Sequence, residues 1–309
     1  MQRFWVCGEA LIDLVGSGGA DTRRSTWAAL SAGGPMNTAI GLARLGGSVE
    51  FLARLGDDAF ADQLRRHVTA NGVGLSLAVD AAQPTSLAVV SLDAEGKASY
   101  TFHFSQTANF GWQPDELPEP DPDVWLHTGS IGTVVGPGAR TLVDWAGAGT
   151  GPMSFDVNVR PTVLPDRAEY WERIEAWLRV VGARSGLVKG SDEDFALLAD
   201  HSGLPTDSEA LVNALCERYG VRWAVLTRGA DGAVAAGPEG VVSVPSPPTT
   251  VVDTIGAGDT FMAGLLDALA REGLGLAAAL DRGVRAAALV CEREGADPPT
   301  RAELDAASA

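Results

Sequence analysis

What most constrains this chain is a rhythm. Apolar runs of strand length alternate with segments of helical period along most of its 309 residues. Parallel strands need a crossover connection, usually a helix, so the alternation predicts a doubly wound, mostly parallel α/β sheet with helices on both faces. Strands are expected at Phe4–Ile12, Val49–Arg54, Val124–His127, Met153–Asp156, Gly186–Val188 and Trp223–Thr227. Helices are expected at Pro35–Leu45, Ala59–Asn71, Arg140–Ala146, Tyr170–Val180, Asp192–Asp200 and Ser208–Arg218, and Asp259–Arg271 and Leu276–Arg293 close the chain.

One region breaks the rhythm. Thr85–Leu92 and Ala98–Phe104 are strand-like runs flanking Asp93-Ala94-Glu95-Gly96-Lys97, a good hairpin connection with glycine for the left-handed position. Such a hairpin has no helix to pack on. It is expected to project with Arg24–Ser31 as a small β lid over the crevice at the strand ends. The chain therefore reads as a single domain over residues 1–309, with lid elements inserted at about 14–32 and 84–112.

Charge and cysteine usage exclude several classes. A net charge of −17, with Lys97 and Lys189 the two lysines, repels a phosphate backbone and disfavours nucleic-acid binding. It does not bar nucleotides, because clustered backbone N–H groups bind phosphate even in an acidic protein. No uncharged apolar run approaches the roughly 20 residues of a membrane-spanning helix. The amino-terminal segment carries two acids and no basic region, which reads as a first strand and not as a signal peptide. Cys7, Cys216 and Cys291 are odd in number and widely spaced, as expected of reduced thiols in the cytoplasm.

The most informative motif is Asp253-Thr254-Ile255-Gly256-Ala257-Gly258-Asp259-Thr260-Phe261. Glycines at a helix start leave N–H groups pointing outward, and the helix dipole favours negative charge there. Asp259 stands on the first turn, where a carboxylate can take the proton of a hydroxyl attacking a phosphoryl group held by the Gly256, Ala257 and Gly258 amides. Read alone, Gly-Ala-Gly-Asp is equally a tight turn followed by an N-terminal helix acid. Near the other end, Gly33-Gly34-Pro35-Met36-Asn37 opens a helix with proline in its first turn, and Asn37 offers donors and acceptors suited to sugar hydroxyls. Other chemistries find less support. No Gly-x-x-x-x-Gly-Lys-Ser/Thr loop is present. Gly273–Ala278 mimics a dinucleotide fingerprint but follows a helix where a strand is required. Ser130 in Thr128-Gly129-Ser130-Ile131-Gly132 lacks the first glycine of a nucleophile elbow. His67, His103, His127 and His201 lack metal-ligand spacing.

The 253–261 string closely matches the second signature of the ribokinase-like (PfkB) sugar kinases, and Gly33-Gly34-x-x-Asn37 resembles the first, at the family's spacing. Gly8-Glu9-Ala10-Leu11-Ile12-Asp13 looks like the opening of fructokinases, which implies that Asp13 binds sugar hydroxyls with Gly33, Gly34 and Asn37. Asp156-Val157-Asn158-Val159-Arg160 resembles the Asp-x-Asn-x-Arg pattern of fructokinases and 2-keto-3-deoxygluconate kinases, placing Arg160 on phosphate or substrate; a surface pair with Asp156 is the plainer reading. Thr227-x-Gly229-x-x-Gly232 is similar to the segment beside the nucleotide phosphates, and Lys189 is placed on the same side. Where many members carry Asn-x-x-Glu near magnesium, this chain has Ser191 and Asp194, so Asp194 becomes the metal-side candidate, with Asp253 the second. Where members often have Asn bordering the adenine, the aligned residue is Arg285. In the lid an aromatic replaces the arginine that fructokinase-like and ketodeoxygluconate kinases often have, which weakens the case for an anionic sugar and leaves a stacking surface.

The resemblance implies MgATP as donor, a potassium ion beside the loop, and a sugar's primary hydroxyl as acceptor. Fructose comes first, then 2-keto-3-deoxygluconate, other ketoses or ribose, and a nucleoside. A catalytically silent sugar-binding regulator is the alternative class. A lid sheet with one open apolar face favours a homodimer.

Overall fold

The structure is a computed structural model describing residues 2–16, 23–92 and 98–307. In chain order its strands are β1 (Arg3–Cys7), β2 (Leu11–Gly16), β3 (Trp27–Ala32), β4 (Ser48–Leu52), β5 (Arg54–Leu55), β6 (Val79–Asp80), β7 (Leu87–Leu92), β8 (Ala98–His103), β9 (Val124–Gly129), β10 (Met153–Asp156), β11 (Leu187–Ser191), β12 (Trp223–Thr227), β13 (Ala233–Gly237) and β14 (Gly240–Val244). The large sheet runs β14-β13-β12-β11-β10-β9-β1-β4, parallel from β12 to β4, with an antiparallel edge at β13 and β14. β1 lies between β4 and β9, so the chain winds away from it in both directions. At such a switch point the crevice beyond the carboxyl ends of the strands is where open α/β sheets place ligands.

Period-two alternation assigns the two faces. From β1, Phe4 and Val6 pack with Met36, Ile40, Phe51 and Phe261, whereas Cys7 packs on the opposite side with Leu52, Phe155, Tyr170 and Trp177. Fully burying each large side chain contributes about 1.5–3 kcal/mol, so these two layers fix the sheet that carries the site. Among the described residues no helix is long and apolar enough to cross a membrane.

A second sheet, β3-β2-β7-β8, stands apart from the first. It contains the expected hairpin as β7 and β8, paired from Leu87↔His103 to Leu92↔Ala98, while the tip expected at 93–97 lies outside the described residues. Two expectations are corrected. Phe4–Ile12 is not one strand: it breaks at Gly8–Ala10, and its second half opens the small sheet, so Asp13 belongs to that sheet and not to the end of a central strand. A Cβ on Gly8 would lie 2.3 Å from the Pro35 ring, which is why a bare backbone makes the crossing. The 259–271 helix begins earlier, at Ala257, and its last turn Asp267–Arg271 is π-helical. Asp267, 1% exposed, accepts from Arg271 (2.5 Å), Arg282 (3.0 Å) and Arg301 (2.5 Å), which holds that turn against the two following helices.

Candidate active site

Two cavities meet at one loop. The first, about 420 Å³, is bounded by Glu9 at the β1–β2 joint, Asp13, Gly33, Gly34 and Asn37, Tyr100 and Phe102 of β8, Ser130, Asn158, Arg160, Lys189 and residues 254–259. The second, about 610 Å³, is bounded by Thr227, Gly229 and Gly232, by Ser246–Thr249, and by one stripe of the Leu276–Cys291 helix: Val284, Ala287, Ala288 and Cys291. Thr254, Ala257 and Gly258 belong to both.

The backbone of that loop is shaped by glycine. Gly256 is left-handed (φ 75°) at the N-cap of the Ala257–Leu266 helix and supplies no capping side chain. A Cβ at Gly258 would come within 2.9 Å of the Lys189 ammonium, and one at Gly256 within 2.7 Å of Ala296. The three amides differ from expectation in one respect. Ala257 N–H donates to the Thr254 carbonyl at 3.2 Å, whereas the amides of Gly256 and Gly258 meet no protein acceptor among the described residues. Asp253 anchors the loop with both oxygens, accepting from Ile255 N–H and Gly295 N–H at 3.0 Å each, and lines neither cavity. Gly33 (φ 135°) shows the same constraint on the other wall, where a Cβ would sit 2.5 Å from the Glu9 carbonyl oxygen.

Asp259 is 9% exposed, and its Oδ2 accepts from Asn37 Nδ2 at 2.9 Å. Burial holds its carboxyl above the usual range, against the pull of Asn37, Lys189 and Arg160. Asp13 is pushed up to about 6 by burial, opposed by Arg160. Lys189 Nζ donates to Asp156 Oδ2 at 2.8 Å inside the protein. Burial alone would lower that lysine, but Asp156, Asp194 and Asp259 together outweigh it and keep it charged. Asp156 is pushed up to about 6 by burial against the same lysine.

These shifts fix the sign of a stability change. Glu9 (about 7), Asp13, Asp156 and Asp259 bind protons more tightly folded than unfolded. Their contribution grows as pH falls through the folded values. Buried His127, pushed down to about 3, and His67, also lowered by burial, act in the opposite sense below the unfolded imidazole value. Four carboxylates outweigh two imidazoles, and acidification also relieves the −17 charge. The melting temperature is therefore expected to rise from about pH 8 to about 5.5 in a thermal-denaturation series; a steady fall would show that the carboxylates are not displaced upward.

Most expected residues converge here, with exceptions. Arg285 turns away from the second cavity, pairing with Asp281 (2.7 Å) and the Ala307 carbonyl (3.0 Å); the wall there is Ala287 and Ala288. Asp194 lines neither cavity. Its oxygens cap Ser191 N–H (2.8 Å) and hold Val159 N–H (2.7 Å), so it braces the turn that presents Asn158 and Arg160. Lys189 borders the first cavity and not the second. Arg160 forms no pair with Asp156, whose partner is Lys189, and borders the first cavity. Among the described residues no group of three His, Cys, Asp or Glu side chains is placed to hold a metal ion. Sequence reasoning missed Glu9, Ser130 and Asn158. The signal available for Asn158 was its place inside the Asp-x-Asn-x-Arg string; Ser130 had none.

Comparison with known proteins assigns the family and the fold. The pfkB family carbohydrate kinase pattern matches residues 1–303. A fructokinase of Klebsiella pneumoniae is 33% identical over 276 residues, covering 88% of this chain and 86% of that protein. An aminoimidazole riboside kinase from Salmonella enterica, solved with aminoimidazole riboside and an ATP analog, superposes with a TM-score of 0.82 at 27% identity over 100% of both chains. A fructokinase double mutant from Vibrio cholerae O395, solved with fructose, ADP and potassium ion, gives 0.82 at 28% identity over 99% of this chain and 98% of that one. With its ribokinase-like fold and this match along nearly its whole length, the chain belongs to the pfkB family of carbohydrate kinases, phosphotransferases whose acceptor is an alcohol group.

Proposed function

We propose that the protein phosphorylates a primary hydroxyl of a ketose, fructose foremost, giving fructose 6-phosphate. The observation that carries this reading is the shared wall: an acceptor-sized cavity and a nucleotide-sized cavity share Thr254, Ala257 and Gly258 among the described residues, and Gly258 adjoins Asp259. MgATP, when bound, supplies the γ-phosphoryl group. Asp13, Gly33, Gly34 and Asn37 position the sugar, with Arg160 at its outer edge. Asp259 takes the hydroxyl proton as the oxygen attacks. The Gly256 and Gly258 amides face the charge that develops on the transferring group, a contribution of about 3 kcal/mol per donor. Thr227, Gly229 and Gly232 border the phosphates.

Magnesium, potassium, a homodimer and a cytoplasmic setting extend the proposal. Magnesium is supported by its habit of riding on phosphate oxygens and water, and potassium by the ion in the Vibrio fructokinase structure. The exposed apolar Leu30 and Tyr100, on the same sheet face as Asp13, support a dimer through the lid. Three free cysteines support the cytoplasm.

One observation favours a second acceptor. Tyr100 and Phe102 line the acceptor cavity with rings 6.0 Å apart and 15° from parallel, a wall on which a flat ring can stack. A coupled ADP-release screen across fructose, 2-keto-3-deoxygluconate, ribose, tagatose and adenosine is expected to give the highest kcat/KM with fructose. Preference for adenosine would transfer the assignment to nucleosides. No ADP release with any acceptor would leave the silent regulator.

A further inference from the structure

Backbone strain marks a second recognition element beside Asn37. Ser130, just after β9, has φ 61° and ψ −156°, a region almost reserved for glycine. Its amide donates to the Asp156 carbonyl at 3.1 Å, and its carbonyl accepts from Thr133 Oγ1 at 2.6 Å. Both hold it in that conformation. A glycine would satisfy the backbone without strain, so the presence of a side chain asks for a use. That side chain borders the acceptor cavity. A Cβ placed on Gly34 would find Asp259 Oδ1 and Asn158 Nδ2 each at 3.1 Å and Ser130 Cβ at 3.6 Å, so three polar side chains meet over the same glycine.

Behind Ser130 lies Glu9, 2% exposed, at the joint where the chain leaves the large sheet for the small one. Its carboxylate accepts from Gly132 N–H at 3.0 Å, two residues beyond Ser130, and it borders the same cavity. That bond braces the short turn that follows Ser130, and the serine hydroxyl offers its lone pairs to a donor in the cavity. We propose that Ser130 Oγ accepts a hydrogen bond from a hydroxyl of the acceptor sugar and that Glu9 is its positioning residue, holding through Gly132 the turn on which Ser130 sits. This rests on the sugar-kinase reading above.

The test is a double-mutant cycle run with the acceptor that gives the highest turnover in the screen. Losing one neutral hydrogen bond, Ser130→Ala is expected to raise the sugar KM about 5- to 10-fold, with the fall in kcat/KM carried by KM. Ser130→Gly should raise KM equally while melting higher, because it sheds the strain. Glu9→Ala, which removes the acceptor for Gly132 N–H, should raise KM as well, and the Glu9→Ala/Ser130→Ala double variant should be no worse than the poorer single variant. A sugar KM within about twofold of wild type in both Ser130 variants overturns the recognition role, being less than one hydrogen bond. KM effects that multiply in the double variant overturn the role of Glu9. A wild-type protein without acceptor-dependent turnover overturns the sugar-kinase reading, and this one with it, before any variant is made.

Discussion

Asp259→Asn is expected to lower kcat by about 10²–10⁴ while the sugar KM stays close to wild type. Asparagine keeps the shape, and its amide oxygen can still accept from Asn37 Nδ2, now 2.9 Å from the aspartate. What it removes is basicity. The attacking hydroxyl must shed a proton as its oxygen closes on phosphorus, and no other carboxylate stands on the first turn of the Ala257–Leu266 helix. Single-turnover and steady-state kinetics on both proteins separate the loss of chemistry from any loss of binding. The pH profile gives an independent check. Because burial raises the Asp259 carboxyl, the acid limb of kcat/KM should fall above the ordinary aspartate range, and it should disappear in the asparagine variant. Near wild-type turnover would leave Asp259 as an N-terminal helix acid and nothing more.

The features legible in the sequence were those with a local cause. The alternation of periods predicts the parallel sheet because each βα unit buries its own apolar face, and glycine strings announce bare backbone whatever surrounds them. The remaining features depend on partners distant in the chain. Nothing near Gly8 says that the strand will change sheets; the reason is the Pro35 ring packed against it from the Gly34–Arg44 helix. The antiparallel β13–β14 edge follows from where the parallel sheet ends, which no single segment encodes. Asp194 read as a ligand because its spacing is near a known pattern, yet its carboxylate is spent on Ser191 and on Val159, 35 residues away. Arg285 illustrates a limit of alignment on a helix. The residue two positions on, Ala287, faces the cavity, while Arg285 faces Asp281 and the carboxyl-terminal segment.

Lys189→Met should be the most damaging single change to stability, at about 3–5 kcal/mol, because it strands the Asp156 carboxylate in the interior. Both side chains are 5% exposed, and Asp156 Oδ1 already has no hydrogen-bond partner. The cost should depend on pH in a definite sense. Without the ammonium, the folded-state value of Asp156 climbs further above its unfolded value, so folding is coupled to proton uptake. The deficit relative to wild type then shrinks as pH falls from 8 towards 5, which chemical denaturation at several pH values measures. A deficit that does not change over that range would mean that Asp156 is already neutral beside the lysine. The double variant Lys189→Met/Asp156→Leu separates structure from chemistry, since replacing a buried pair by apolar groups is often neutral or stabilising by about 1–4 kcal/mol. It should fold, yet kcat should remain depressed. The ammonium lies 2.9 Å from the point a Gly258 Cβ would occupy, beside the amide proposed to face the phosphoryl group, and no apolar pair can replace that charge. A stable double variant with restored kcat would make Lys189 a structural residue alone.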